Sequence, residues 1–340
     1  MGRFLYDSDT CGLPNSRSKR SAEIEYDDDY KSDDNKAGAV GDSNDPMRQK
    51  VMGGEDAQSG ELPWAVLIEL NMEGKVCGGT LVTRRHVITA AHCFWNGDDT
   101  PCKMSHAFRE ADIKKFTTIM IGGVCSKEDS KTHCEGHDVG TRYKIRNLYY
   151  ESFFKTGCNS TQDFAIIELL EEVPKYIHHA CLPHLHNIDM LDQRTAKFFT
   201  QGWGLNPPKG YEEIASPRLQ KVDLGVKMTE DECRAEESGK KPDTFCTTEK
   251  SDVNVCHGDS GGGLTTVIEG RHFLMGLVSY GSACDDLLLG ARPSAQIHTD
   301  INYYTADIDM ILGLRVEDRK PTWERVYRKH NEQYNVYRYK

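Results

Sequence analysis

Three short stretches of the sequence each contain a side chain that could take part in nucleophilic catalysis. Residues 77–93 read CGGTLVTRRHVITAAHC and include His92, DFAIIEL begins at Asp163, and GDSGG at 258–262 contains Ser260. A serine hydroxyl is a weak nucleophile near neutral pH and needs a base within hydrogen-bond reach. Histidine can be that base because its pKa lies near neutrality, and a buried carboxylate can fix its tautomer. Together the three residue types indicate acyl-transfer chemistry.

Each stretch alone also has an ordinary structural explanation. A histidine beside a cysteine is most often structural, an aspartate before an apolar strand often caps it, and a glycine-rich string is often a loop. Their occurrence in one chain, in the order histidine, aspartate, serine, favours catalysis. The glycines around the serine would let the N–H groups of Gly258 and Ser260 point at a developing oxyanion.

The segments that must position these residues are short, apolar and rich in Val, Ile and Leu. Clusters of Gly, Pro, Asn and Asp separate them, which is typical of an all-β barrel or sandwich. A late helix is predicted at 302–312, where Tyr304, Ile308, Ile311 and Leu312 recur at helical spacing. The apolar segments are 65–70, 80–89, 117–121, 164–170, 198–200, 264–268 and 273–279.

Composition limits the classes of function. The chain has 340 residues and a net charge of −11, which disfavours nucleic acid as a partner because phosphates attract Lys and Arg. No run of about 18 apolar residues occurs, so no membrane-spanning helix is predicted. Twelve cysteines without a Cys-x-x-Cys pair favour a disulfide framework in an oxidising, extracellular setting. MGRFLYDSDT lacks the apolar stretch of a signal peptide, so we expect the natural leader to lie outside this sequence.

These motifs resemble those of chymotrypsin/trypsin-family serine proteases. By the resemblance, His92 in TAAHC is the general base, Asp163 in DFAII the orienting aspartate and Ser260 in GDSGG the nucleophile. The likeness runs from about Val51 to Leu312 and implies an all-β fold: two packed antiparallel six-stranded β-barrels with a C-terminal α-helix. The triad would lie in the cleft between the barrels. Further matching motifs are PW at 63–64, GWG at 202–204 and SYG at 279–281.

The resemblance also implies a division of the chain. Residues 1–50 would be an acidic, largely disordered propeptide, 51–313 the protease domain, and 314–340 a basic aromatic tail. Within the domain, the two barrels are expected at about 51–175 and about 190–300.

Activation by cleavage is a further implication. VMGG at Val51 matches the N-terminus that the family exposes when its zymogens are cut, with Met52 in place of the usual valine. A trypsin-like protease would cut after Lys50, and the new ammonium group of Val51 would form a buried ion pair with Asp259.

The resemblance assigns some of the cysteines. It implies the pairs Cys77–Cys93, Cys233–Cys246, Cys256–Cys284 and Cys11–Cys181, the last of which would keep the cleaved propeptide attached. Another common bridge of the family is expected to be absent, because Phe198 and Thr266 occupy its positions. Cys102, Cys125, Cys134 and Cys158 remain in a long segment before the aspartate, and the sequence does not choose among their three pairings. Bridges there would stiffen the segment or, less favoured, build a partner-binding surface.

The primary specificity pocket is expected at Asn254, six residues before Ser260, where a trypsin has aspartate. Val255 beside it is apolar, and Gly281 is expected to leave the entrance open to a large side chain. A cationic substrate side chain would be buried there without a counter-charge, which is costly. A neutral residue is therefore predicted at the cleaved bond: aromatic, Leu or Met, or amide-bearing.

Other residues leave this preference open. Gln296 stands where the family usually has glycine, and would narrow the pocket or hydrogen-bond a polar substrate group. Asp285 and Asp286 offer the alternative of reaching the pocket and restoring a basic preference. The remaining expected substrate contacts are His257 at the pocket rim and Ser279, Tyr280 and Gly281 along an extended substrate strand.

The remaining motifs carry weaker signals. Asn159 begins a glycosylation sequon. HHACLPHLH at 178–186 could hold a metal, but a connector with solvent-facing histidines is favoured, and no metal or cofactor is predicted. The tail could bind an anionic surface, although a solvated tail is favoured. Expected partners are protein or peptide substrates, an activating protease and, as a further candidate, a protease inhibitor. A catalytically silent homologue acting as a binding cofactor is the alternative, which the intact triad disfavours.

Overall fold

The structure is a computed structural model that describes residues 5–15, 52–72, 74–95, 107–130, 134–155, 157–158, 161–188, 191, 195–205 and 216–314. Several predictions fall outside these residues. They concern Lys50, Val51, Cys102, Asn159 and the tail beyond Leu314.

Strands make up most of the regular structure and form two antiparallel sheets of seven strands each. The strands Ala65–Leu70 and Lys75–Thr83 are buried over most of their length, because they are covered on both faces. In chain order the strands are β1 Glu55–Asp56, β2 Ala65–Leu70, β3 Lys75–Thr83, β4 His86–Thr89, β5 Thr117–Ile121, β6 Thr141–Tyr143, β7 Ile145–Tyr149, β8 Ala165–Leu169, β9 Lys197–Gly202, β10 Gln220–Val226, β11 Thr244–Thr248, β12 Gly263–Ile268, β13 Arg271–Tyr280 and β14 Ala295–Asp300.

The strand orders explain how each sheet curls. The first sheet runs β6-β5-β2-β3-β4-β8-β7, and its two end strands are separated in sequence by Lys144 alone. The second runs β1-β10-β9-β12-β13-β14-β11, in which the two-residue β1 is an addition. The predicted all-β fold of two antiparallel barrels with a C-terminal helix is confirmed. Each sheet nevertheless counts seven strands where six were predicted, because of the break at Lys144 and the extra β1.

The helices are short. The predicted helix at 302–312 begins as a 3₁₀ turn, Ile301–Tyr304, because the Asp300 side chain accepts a hydrogen bond from the N–H of Asn302. It continues as an α-helix and ends at Gly313, which has a φ of 67°. Within the described residues, none of the helices has the length and apolarity to cross a membrane. The α-helices are α1 Glu110–Phe116, α2 Glu151–Lys155, α3 Glu230–Glu236, α4 Cys284–Leu288 and α5 Thr305–Leu312.

Five disulfides join described cysteines. Four are Cys11–Cys181, Cys77–Cys93, Cys233–Cys246 and Cys256–Cys284, the pairs that the resemblance implied. The fifth, Cys125–Cys134, settles one of the pairings left open by the sequence, and Cys158 is also disulfide-bonded.

The Cys125–Cys134 loop is attached to the chain that enters the second sheet. The carbonyl of Val124 accepts from Trp203 Nε1 at 3.0 Å and from the N–H of Leu219 at 2.6 Å. The N–H of Ser126 donates to the carbonyl of Pro217 at 3.0 Å. The loop therefore braces the two halves of the molecule, in line with the favoured stiffening role.

Residues 5–15 belong to the segment that was expected to be largely disordered, yet they are bound to the body. Beyond the disulfide of Cys11, Gly12 donates to the carbonyl of His179 at 2.7 Å and accepts from the N–H of His272 at 2.9 Å. The guanidinium of Arg271 donates to the carbonyls of Ser8, Asp9 and Cys11. Backbone hydrogen bonds thus hold this segment independently of its disulfide.

The prediction that the histidines of HHACLPHLH, at 178–186, face solvent is wrong for two of them. His179 and His184 are buried, whereas solvent-facing side chains were predicted. His179 accepts from the N–H of Asp7 at 2.9 Å, and burial lowers the pKa of His179 to about 4. His184 Nε2 lies 3.1 Å from Asp309 Oδ1 of α5. His186 lies near Cys11 and Cys181, but the two sulfurs are bonded to each other and are not free thiolates for a metal.

Candidate active site

His92 lies on a 3₁₀ turn, Ala91–Phe94, which directly follows β4. The Cys77–Cys93 disulfide ties this turn to β3. Phe94 is fully buried and meets the Tyr150 ring edge-on at 5.6 Å. Burying such a ring contributes about 2 kcal/mol, so the turn is held in place while the imidazole stays partly exposed. The side chain of His92 is 25% exposed.

Asp163 precedes β8, which pairs with β4 so that Ala165 lies opposite Thr89. This register places the aspartate beside the His92 turn. His92 donates to the carboxylate twice, from its backbone N–H to Oδ1 at 2.9 Å and from Nδ1–H to Oδ2 at 2.8 Å. Ser279 Oγ–H donates to Oδ2 as well. The hydrogen bond to Nδ1 leaves Nε2 as the proton-accepting nitrogen of the neutral ring.

The pKa values of the pair move in opposite directions. Burial by itself lowers the pKa of His92, but the charge and hydrogen bond of Asp163 outweigh it and raise that pKa above its usual value. Burial by itself raises the pKa of Asp163, but the charge of His92 and the hydrogen bonds from His92 and Ser279 lower it below its usual value. Such a pair favours a charged carboxylate beside a histidine that holds a proton more readily than a free imidazole does.

Ser260 lies on the loop that enters β12. Its carbonyl accepts from the N–H of Gly78 at 2.7 Å, and Gly78 follows Cys77, whose disulfide partner is the neighbour of His92. The loop is further fixed by the N–H of Gly261, which donates to the carbonyl of Val278 at 2.8 Å. In the described part of the chain Ser260 Oγ makes no hydrogen bond, including to His92. Catalytic hydrogen bonds are often loose before substrate binds.

The two backbone N–H groups expected to stabilise an oxyanion are those of Gly258 and Ser260. Neither donates to an acceptor among the residues that the structure describes. Gly258 has a φ of 96°, which only glycine adopts readily, and a Cβ there would approach Gly204 Cα to 3.0 Å. The glycine is therefore required for the loop conformation that leaves both donors available.

Asp259, expected to pair with a new N-terminus, is buried. It accepts from the N–H of Gly204 at 2.9 Å and of Cys256 at 3.0 Å, and burial raises the pKa of Asp259 to about 6. A Cβ at Gly202 would overlap its Oδ1, which explains the first glycine of GWG. Met52, the residue after Val51, accepts through its carbonyl from the N–H of Asn254 at 3.0 Å.

The residues expected in the specificity pocket are mostly buried. Asn254 is 0% exposed and Gln296 is 2% exposed. Gln296 Nε2 donates to the carbonyl of Tyr280 at 2.9 Å, and a Cβ at Gly281 would overlap Gln296 Oε1. Gln296 thus lies against Gly281, the residue that was expected to leave the entrance open. Within the described residues, Asn254 Oδ1, Asn254 Nδ2 and Gln296 Oε1 lack hydrogen-bond partners.

Val255 and His257, two other residues predicted to contact substrate, differ in their exposure to solvent. Val255 is buried, whereas His257 is exposed and its carbonyl accepts from the N–H of Leu205 at 2.6 Å. Asp285 and Asp286, the alternative source of negative charge, are exposed on α4. No hydrogen bond joins either of their carboxylates to a described pocket residue.

Glu249 is a buried carboxylate that the sequence analysis missed. It is 3% exposed, and a Cβ at Gly281 would lie 2.6 Å from its Oε1. The carboxylate accepts from the N–H of Ser282 at 2.6 Å, from Ser282 Oγ at 2.7 Å and from the N–H of Ser294 at 3.0 Å. A glutamate in TTEKSD resembles a surface charge, so no sequence signal marks it.

Comparisons with known proteins agree with this geometry. The family description Trypsin matches residues 51–299. The trypsin-like protease try-5 of Caenorhabditis elegans is 35% identical over 262 residues, which cover 70% of this chain and 79% of that protein. The residues matched by the family description include His92, Asp163 and Ser260. The chain belongs to the chymotrypsin/trypsin family of serine proteases.

Proposed function

We propose that the protein is a serine endopeptidase that cleaves peptide bonds through an acyl-enzyme. The observation that carries this is the doubly hydrogen-bonded His92–Asp163 pair, held by the same disulfide that adjoins the Ser260 loop. Ser260 Oγ attacks the scissile carbonyl carbon while its proton passes to His92 Nε2. The N–H groups of Gly258 and Ser260 stabilise the oxyanion. His92 then protonates the leaving amine, and water hydrolyses the ester by the same route.

Asp163 supports both the transfer of the serine proton to His92 and the later protonation of the leaving amine by His92. Its carboxylate fixes the Nδ1–H tautomer, so Nε2 is the nitrogen that accepts the serine proton, and its charge stabilises the imidazolium that forms after proton transfer. Its three side-chain hydrogen bonds allow the carboxylate to stay buried and ionised. Because the carboxylate is already in place, little reorganisation is needed during the reaction.

The same proposal includes activation of a zymogen by cleavage after Lys50, with 1–50 as propeptide, 51–313 as protease domain and 314–340 as tail. Asp259 supports it, because this buried carboxylate with a raised pKa accepts from the N–H of Cys256, and Cys256 belongs to the same buried cluster as Met52. Pairing with the ammonium of Val51 would offset the cost of burying that charge. We expect Lys50→Gln to leave a folded but inactive precursor, assayed with a peptide substrate after treatment with trypsin. Full activity of the uncut variant would contradict this part.

We further propose a neutral residue at the cleaved bond. Asn254 at the expected base of the pocket offers no charge, and the carboxylate of Glu249 is held by three hydrogen bonds from Ser282 and Ser294 and makes none to Asn254. Gln296 lies against Gly281 and so limits the size of the side chain that enters. Moving a charged side chain from water into the protein without a partner costs on the order of several kcal/mol. This cost disfavours substrates with Lys or Arg at the cleaved bond.

An extracellular location belongs to the same proposal, supported by the five disulfides that join described cysteines. Glycosylation at Asn159 stays a prediction from the sequence.

The test of the activity is covalent labelling. Protein cleaved after Lys50 is treated with a fluorophosphonate probe, and Ser260→Ala and His92→Ala serve as controls. We expect labelling of the cleaved protein at Ser260, none in Ser260→Ala and far slower labelling in His92→Ala. A cleaved, folded protein that takes up no probe would instead favour the catalytically silent binding homologue.

A further inference from the structure

Asp243 is a buried carboxylate that lies just before β11 and is 1% exposed. It accepts three hydrogen bonds. Oδ1 accepts from Thr161 Oγ1 at 3.1 Å, Oδ2 accepts from the N–H of Gln162 at 2.6 Å, and Oδ2 also accepts from the hydroxyl of Tyr304. Two of the three donors thus belong to the residues immediately before Asp163, on the other barrel.

The backbone before Asp163 needs such support. Gln162 has a φ of 58°, in the left-handed region that residues with a side chain rarely adopt. Conformations of this kind persist where the surroundings hold them, and they cluster at functional sites. The carbonyl of Gln162 accepts from the N–H of Phe164 at 2.7 Å, closing a tight turn around Asp163. Asp243 binds the N–H of the same left-handed residue.

Tyr304 extends this contact to the other side of Asp163. Its hydroxyl donates to Asp243, and its ring stacks on the ring of Phe164 with centroids 4.3 Å apart and planes 4° apart. Thr299 Oγ–H donates to the carbonyl of Asp163 at 2.9 Å. Contacts from Asp243, Thr299 and Tyr304 therefore hold the residues on both sides of Asp163. Asp243 itself binds both Gln162 and Tyr304.

We propose that Asp243 is a positioning residue for catalysis: it fixes the turn at Gln162 and so aims the carboxylate of Asp163 at His92. This inference rests on the proposed function. A carboxylate suits the position because it accepts three hydrogen bonds without offering a donor, whereas an asparagine would turn an NH₂ group toward one of the three donors.

The test uses full-length protein cleaved after Lys50. Asp243→Asn keeps the shape of the side chain, and Tyr304→Phe removes one hydrogen bond to Asp243 while keeping the ring stack. Thr266→Val is the matched control, because it removes a buried hydrogen bond of the same barrel, to the carbonyl of Lys197 at 2.9 Å, far from Asp163 in sequence. Steady-state kinetics are measured between about pH 5 and pH 9, the range in which a histidine base titrates.

We expect Asp243→Asn to lower kcat about tenfold to hundredfold, because small displacements of a catalytic group cost that much, and to leave KM nearly unchanged. The acid limb of the pH profile should move to lower pH, since a displaced Asp163 no longer raises the pKa of His92 to the same extent. Tyr304→Phe should show the same changes to a smaller degree. Thr266→Val should show neither.

A double-mutant cycle with Asp163→Asn separates positioning from general stability. If Asp243 acts through Asp163, Asp243→Asn adds almost nothing to the loss in the Asp163→Asn background. Additive losses, or an Asp243→Asn profile that matches Thr266→Val, would overturn the inference. If Asp243→Asn does not fold, Tyr304→Phe decides by the same criteria. If the wild-type cleaved protein does not react with the fluorophosphonate probe, the proposed function as a whole is contradicted, and not only the positioning role of Asp243.

Discussion

The His92–Asp163 pair and Asn254 in the expected pocket differ in whether their buried polar atoms have hydrogen-bond partners. Both carboxylate oxygens of Asp163 are engaged, by His92 and Ser279, and its carbonyl is bound by Thr299. The side chain of Asn254 is as deeply buried, yet among the described residues neither of its amide atoms has a partner.

If the proposed function holds, the difference separates the hydrogen bonds made in the free protein from those kept for the substrate. A catalytic carboxylate works by being preorganised, so its hydrogen bonds must already exist in the free protein. A polar group that recognises substrate keeps its hydrogen-bonding capacity for the complex, although an unsatisfied buried group costs roughly 1–3 kcal/mol in the free protein. Changes at the pair should therefore alter kcat, and changes in the pocket should alter the choice of substrate.

The largest effect is expected at the pair. Asp163→Asn keeps the shape of the side chain but favours the wrong tautomer of His92, so kcat should fall about 10⁴-fold. Wild-type kcat/KM should fall as pH drops through the pKa of His92, because only the neutral ring accepts the serine proton. Since Asp163 holds that pKa above its usual value, the acid limb of the variant should lie at lower pH. Both effects are measured by peptide hydrolysis as a function of pH in the wild type and the variant. An acid limb at the same pH in both proteins would contradict the role of Asp163.

A change of substrate class is expected from the pocket. Asn254→Asp combined with Gln296→Gly would place a charge at the base and remove the carboxamide beside Gly281. We expect the ratio of cleavage after Arg to cleavage after Leu to rise about a hundredfold, because a buried cation gains a counter-charge. A library of peptides varied at the cleaved residue measures this. Glu249→Gln is the control: a native preference for Arg or Lys that this variant abolishes would show that Glu249 is the counter-charge.

Gln296→Gly alone should have a smaller effect on the same library. Removing the side chain that lies against Gly281 opens space without adding charge, so cleavage after aromatic residues should rise about tenfold relative to alanine. The kcat for the best small substrate should stay within about twofold, because Gln296 makes no hydrogen bond to His92, Asp163 or Ser260. An aromatic preference already present in the wild type would show that Gln296 does not limit the pocket.

The same contrast explains what the sequence could predict. His92, Asp163 and Ser260 stand in short motifs that resemble those of a known family, so the fold and the candidate triad could be predicted from that resemblance. Asp243 and Glu249 carry no such mark, because each becomes significant only when a distant segment folds against it. A carboxylate in a polar stretch looks like a surface charge until its donors, such as Tyr304 or Ser282, are known.

Strand prediction shows a similar limit. The apolar runs of β2 and β5 were predicted with their observed bounds, because these strands are buried on both faces. Strands β10, β11 and β14 were missed, since polar residues interrupt them: QKVDLGV, TFCTT and AQIHTD. Their buried Thr and His side chains are accommodated by hydrogen bonds such as that between Thr247 Oγ1 and His298 Nε2 at 2.9 Å, which are tertiary features.

The smallest effect on catalysis is expected at the Cys125–Cys134 loop, which belongs to neither region. Replacing both cysteines with serine should cost about 2–3 kcal/mol of unfolding free energy, because the disulfide closes a short loop that restrains the unfolded chain. Cleavage of small peptides should change less than about twofold, since Val124, next to the loop, binds Trp203 and Leu219, and the described residues of the loop make no hydrogen bond to the pair or to Asn254. Chemical denaturation and peptide kinetics measure the two effects. If stability were unchanged while cleavage of a folded protein substrate fell, the loop would be a partner-binding surface, and its role as a brace would be wrong.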